Sequence, residues 1–204
     1  MSILAQSFQV RLNFISPILG SLPADPELLS KYIASRAPSS LQQDEEEGVA
    51  QEVDAEKSLT VFARDETGLF FYDYHIKGFI KEAGNTLKEA VKTTALRSKI
   101  DNYLFVFPRR IYICRENGAP IQKEDEFLER PLRAQTALGP RIALAKSERI
   151  NLPITCQFTV EILENKKDVS WETVQKLLDY GRYKGLGQWR NGGWGRFEWE
   201  EVKE

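Results

Sequence analysis

The chain has 204 residues, 42% of them hydrophobic and 11% aromatic, with 28 Lys and Arg against 30 Asp and Glu and a formal net charge of -2. This composition excludes global disorder, and no apolar run approaches the roughly 20 residues that a bilayer-spanning helix needs. One histidine, His75, and two cysteines without ligand spacing, Cys114 and Cys156, exclude a Cys/His zinc site. The expectation is a soluble, cytoplasmic protein with reduced thiols and no metal, cofactor or membrane partner, since Met1 leads into a strand-like segment rather than a secretory signal.

The charge is unevenly spread. Seven acids and no base lie between Asp44 and Glu56, so the rest of the chain carries 28 bases against 23 acids. A polyanion partner is therefore compatible with the acidic whole. Residues 36–58 are expected to be a solvated, flexible acidic loop within a single domain spanning 1–204.

Phe8, Val10, Leu12 and Phe14 alternate with Gln9, Arg11 and Asn13, the period of a strand with one buried face. Asp25 is placed to cap a short helix through Leu28, Leu29, Tyr32 and Ile33. Two apolar runs, 59–63 and 69–72, flank a turn containing Gly68 and predict a hairpin. Ile76, Phe79, Ile80, Ala83, Leu87 and Val91 then recur at helical spacing and predict one long helix over 76–95, with Lys77 and Lys81 off its apolar stripe and expected at a nucleic-acid interface.

Residues 104–149 read as a β-rich insertion. Strands are predicted over 103–107, 111–114, 127–133 and 141–145, and between Arg97 and Arg149 eleven bases face seven acids. This suggests a basic finger whose Arg109, Arg110, Arg133 and Arg141 contact phosphates. The clearest strand is 154–162, followed by a helix capped at Ser170 over 171–183 and a last strand over 194–199. The order of elements predicts an α+β chain with a ferredoxin-like (RRM-like) βαββαβ core, open to duplication.

Gly185-Leu186-Gly187 and Gly193-Trp194-Gly195 are separated by five residues, 188–192. Glycine permits positive φ and close approach to main-chain N–H groups, as anion cradles require. Arg182, Lys184, Arg190 and Arg196 fall between Tyr180 and Phe197 with no acid, and Trp189 offers a ring to stack on a base. Alternatively, the glycines make only a tight helix-to-strand connection and the tryptophans belong to the core.

A helix, this paired Gly-hydrophobic-Gly pattern and one last strand resemble the RAMP superfamily of CRISPR-associated RNA-binding proteins, with Gly185, Gly187, Gly193 and Gly195 on the motif. Residues 74–81 look like the start of that family's first helix, with His75 and Ile76 where its serine is usual. The resemblance leaves out residues 16–58, and it points to a phage or prophage member. It implies a non-catalytic single-stranded RNA-binding protein, a subunit or mimic of a CRISPR-type ribonucleoprotein, with Lys184, Gly185, Gly187, Trp189, Arg190, Gly193 and Gly195 at the interface. The implied partners are single-stranded nucleic acid, RNA favoured, and either a homo-oligomer along the strand or other ribonucleoprotein subunits.

Three further readings stand beside it: a metal-independent endoribonuclease processing CRISPR RNA, with His75 as its acid or base; a phage single-stranded DNA-binding or recombination accessory; and a CRISPR-inhibiting interaction protein.

Overall fold

The computed structural model describes residues 5–25, 59–136, 139–164 and 169–203, with the backbone alone over 132–143. The acidic segment 36–58 and the helix expected at 28–33 lie outside the described residues.

Strand β1 (Ala5–Phe14) runs at the heart of the larger sheet and buries Val10, Leu12 and Phe14 on one face, as its alternation requires. Four more strands of the first sheet are β6 (Leu69–Tyr72), β7 (Leu104–Phe107), β8 (Arg110–Cys114) and β11 (Thr155–Leu163), and β5 (Ala63–Arg64) and β12 (Phe197–Glu201) stand at its ends. β1 pairs antiparallel with β11 from Ala5↔Leu163 to Asn13↔Thr155 and, on its other edge, with β12. β7 and β8 follow one another along the far edge of β11, and β8 carries on to β6 and β5. The order β12-β1-β11-β7, with a helical crossover after β1 and another after β11, is the ferredoxin-like βαββαβ arrangement. The described residues contain one such unit, and its two βαβ halves are the only repetition among them.

Both crossover helices cover the same face. Helix α1 (Asp73–Thr86) buries Ile76, Phe79, Ile80 and Ala83. Two short helices follow it, α2 (Lys88–Val91) and α3 (Leu96–Tyr103). The second crossover helix, α4 (Trp171–Asp179), starts where Ser170 Oγ accepts the Thr173 N–H at 3.3 Å and buries Trp171, Val174, Leu177 and Leu178. Phe79 meets Phe197 edge-on at 5.0 Å, joining α1 to β12 beneath α4. Cys156 is buried in this core and Cys114 is half-buried; both are free thiols, and burial pushes each thiol pKa up.

The helix expected over 76–95 is broken. α1 stops at Thr86, α2 is one turn, and Lys92 and Ala95 take left-handed backbone with φ of 58° and 51°. The chain then doubles back as α3, whose Ile100 packs against Gly84 so closely that a β-carbon there would lie 2.6 Å from Ile100 Cδ1. Two apolar stripes that share a period in sequence thus belong to antiparallel segments. The later helix is likewise shorter than expected, passing into a 3₁₀ turn at Tyr180–Arg182.

A second sheet forms from β2 (Ile18–Leu19), β3 (Leu22–Pro23), β4 (Leu59–Val61) and the long hairpin β9 (Glu126–Thr136) and β10 (Gly139–Ile150). β4 and β2 pair with β10 at positions 146–150, opposite β9. From Gly139 to Ala145, β10 has β9 as its one partner strand among the described residues. Of residues 104–149, expected as one β-rich insertion, β7 is a core strand and β8 belongs to the first sheet, which leaves the hairpin as the part outside that sheet. Glu148 anchors its root: the buried carboxylate accepts the Phe62 N–H at 2.8 Å and pairs with Arg64.

Candidate nucleic-acid interface

The two Gly-hydrophobic-Gly triplets lock into each other. Leu186 is buried between Gly185 and Gly187, and its N–H donates to Gly195 O at 2.9 Å. The Gly195 N–H donates to Pro17 O at 2.9 Å, and that of Gln188 to Leu19 O at 3.2 Å, which ties the loop to the chain after β1. Gly187 and Gly195 have φ of 88° and 71°, and β-carbons there would lie 2.5 Å from Leu19 O and 1.8 Å from Leu186 O. Gly193 also has positive φ, 86°, but it faces open space apart from the Arg196 guanidinium at 3.5 Å.

This geometry corrects the cradle expectation. The N–H groups of Leu186, Gln188, Gly192, Gly193 and Gly195 all donate to carbonyls within the chain, so those amides do not face a ligand. Gly185, Gly187 and Gly195 are required because backbone packs on backbone there.

The expected cations are also largely committed. Lys184 Nζ and Arg190 Nη1 both pair with Glu82 of α1, and Lys184 Nζ donates to Asn191 Oδ1 at 2.8 Å. Lys77 and Lys81 converge on Asp101 of α3, at 3.5 and 3.2 Å. Arg109 pairs with Asp73 and lies over the rings of Tyr72 and Tyr74 at 5.3 and 5.2 Å, and Arg110 pairs with Asp65 at 2.8 Å. Burial alone would raise the Asp65 pKa, but hydrogen bonds from Tyr112, the Thr67 and Gly68 N–H groups and Arg110 together lower it. Arg133 stands opposite Ile142 and Arg141 opposite Ala134 in the hairpin ladder, and both side chains lie outside the described residues. Arg109 and Arg110 thus sit at the β6–β8 end of the first sheet, whereas Arg133 and Arg141 sit in the hairpin.

His75 occupies the first turn of α1, where its Nδ1 accepts the Tyr72 N–H at 3.3 Å among the rings of Phe71, Tyr72 and Tyr74. Its visible work is to cap the helix.

Sequence reading missed the group that joins the loop to the hairpin. The Arg130 guanidinium lies 4.4 Å over the Trp189 ring, Trp189 stacks on Trp194 at 6.2 Å with 17° between planes, and Arg149 lies 5.1 Å over Trp194. Trp189 keeps left-handed backbone, φ 53°, folds its ring over Gly192, and is 42% exposed. Arg130 is 6% exposed, and burial lowers its pKa. A signal was available: Arg130 alternates in phase with Leu128 and Leu132, putting a base on an apolar face of the strand.

The open face of the first sheet has another character. Across β12, β1 and β11, Arg11 pairs with Glu200 at 3.3 Å and Arg182 with Glu198 at 3.0 Å, while Glu161 stands opposite Ser7.

No protein-family model matches the sequence, and no curated protein matches it. Among solved structures, the fold is similar to a chain in the cryo-EM structure of the Type III-B Cmr-beta bound to cognate target RNA, at 12% identity and a TM-score of 0.49. The match covers 98% of this chain and 61% of that one, so this chain spans about three fifths of its length.

Proposed function

We propose that this chain is a non-catalytic single-stranded RNA-binding protein of RAMP type, working as a subunit or mimic of a CRISPR-type ribonucleoprotein. The observation that carries this reading is the exposed Trp189 ring, stacked on Trp194 and flanked by Arg130 and Arg149, where the hairpin root meets the glycine loop. Aromatic planes interleaved with guanidinium groups suit unpaired bases and the phosphates between them. The motif at Gly185, Gly187, Gly193 and Gly195 supports the same reading through its resemblance to that superfamily. The proposed role of the glycines is to hold Trp189, Trp194 and Arg190 in place.

The test is fluorescence anisotropy of a labelled oligouridine and of the matching oligodeoxythymidine over a salt series. The reading expects tighter binding of the RNA and a log–log salt slope of about -0.7 per phosphate neutralised. Equal or tighter binding of the DNA transfers the function to a single-stranded DNA accessory. Sequencing nucleic acid that co-purifies with the protein asks whether RNA is its partner in the cell.

A further inference from the structure

Nε and Nη1 of Arg130 are inaccessible to solvent and have no hydrogen-bond partner among the described residues. The residue is 6% exposed, on the face of β9 that the glycine loop covers, with the Trp189 ring 4.4 Å from its guanidinium carbon. An indole face satisfies a guanidinium electrostatically from above, but it accepts nothing from the N–H groups at the guanidinium edge. Buried donors of a charged group are normally paired, and leaving them unpaired is costly.

A second position repeats the pattern. Arg149 shares that face of the hairpin, because the ladder sets Arg130 opposite Ala145 and Glu126 opposite Arg149. Its Nε is also buried with no hydrogen-bond partner among the described residues, and it lies over Trp194, while its Nη1 reaches Glu126 Oε1 at 3.4 Å. Each of these two arginines, Arg130 and Arg149, is thus covered by a loop tryptophan. Trp189, over the more fully orphaned of the two, is 42% exposed and stands on a left-handed backbone that non-glycine residues seldom adopt.

We propose that Arg130 is a phosphate-binding group covered by Trp189: when single-stranded RNA binds, the indole leaves the guanidinium to stack on a base, and the exposed Nε and Nη1 edge receives the adjoining phosphodiester. This rests on the RNA-binding reading and adds to it a specific phosphate site and a moving part. The orphaned donors are a feature of the free protein, and a bound phosphate satisfies them. The fork geometry of a guanidinium fits two phosphate oxygens, and the neighbouring Trp189 supplies the stacking plane.

The experiment compares wild type, Arg130→Met, Arg130→Lys and Trp189→Phe by oligouridine anisotropy over a salt series, thermal melting and tryptophan emission. Arg130→Met is expected to bind about tenfold more weakly, with a salt slope smaller by about 0.7, and to melt no lower than wild type without RNA. Arg130→Lys keeps the charge but loses the fork, so it too should bind more weakly; it carries the test should Arg130→Met not fold. RNA should change the emission of wild type more than that of Trp189→Phe, which keeps Trp194 beside the site.

Unchanged affinity in the folded Arg130 variants overturns the site while leaving the RNA-binding reading intact. If wild type itself ignores oligouridine, that reading fails, and pyrophosphate then tests the anion site alone. A pyrophosphate-dependent rise in melting temperature that Arg130→Met lacks supports the site, and no rise overturns it.

Discussion

Gly185 and Gly195 press together so closely that a β-carbon on Gly185 would stand 2.2 Å from the carbonyl carbon of Gly195. Between them the Leu186 N–H closes a 2.9 Å hydrogen bond to Gly195 O. The paired motif is therefore a backbone-to-backbone clasp, and its consequences for binding run through the side chains that it positions.

Gly195→Ala adds both a clash with Leu186 O and a strained positive φ, so it should cost about 2 kcal/mol or more. Gly118 has φ of 81° and nothing within 4 Å of the point where a β-carbon would stand, so Gly118→Ala should cost about 1 kcal/mol. Thermal melting checks the difference, at about 2 to 4 °C per kcal/mol for a chain of this size. Equal shifts for the two variants would show that the clasp does not bear on stability.

Glu82 neutralises both Lys184 and Arg190 from the neighbouring helix. Glu82→Gln should free two cations beside Trp189, tighten oligouridine binding and steepen its salt dependence, with a stability loss of about 1 kcal/mol or less because all three side chains are part-exposed. Anisotropy and melting on the same preparation measure both effects. Weaker binding would show that the ion pairs hold the loop in its binding shape.

His75→Ala removes the acceptor of the Tyr72 N–H at the start of α1 and should cost about 1 kcal/mol of stability. Labelled single-stranded RNA incubated with wild type should stay intact on a denaturing gel. Cleavage that His75→Ala abolishes would instead assign this residue to catalysis.

Burial opposes ionisation of Asp101, but Lys81 and Lys77 outweigh it and hold the carboxyl below its usual pKa. A carboxylate whose pKa is depressed in the folded state contributes stability above its unfolded pKa and loses it as pH falls through the folded one. Melting temperature should therefore fall as pH drops below about 4, the ordinary carboxylate value, and Asp101→Asn should flatten part of that fall. An identical acid limb in the variant would mean that the α1–α3 ion pairs do not contribute.

The period-2 strands β1 and β11, the Ser170 cap and the apolar stripe of α1 were legible because each is a local pattern imposed by one buried face. The spacing of the four glycines was equally visible, and with it the tight connection that the packing confirms. What spacing could not convey is which atoms meet at those glycines, because the Leu186–Gly195 and Gln188–Leu19 contacts join segments whose approach depends on the whole sheet order.

Tertiary structure alone decided three things. It ended α1 at Thr86, because α3 folds back onto Gly84, a long-range packing that helical periodicity does not encode. It committed Lys77, Lys81, Lys184 and Arg190 to acids of other segments, so a count of bases overstated the charge available to a ligand. And it brought Arg130 of β9 beneath Trp189, 59 positions away in the chain, because antiparallel closure of the hairpin root and the glycine clasp place them face to face. Local sequence sets which face of each segment is apolar; which faces meet is settled by the order of strands and the burial they share.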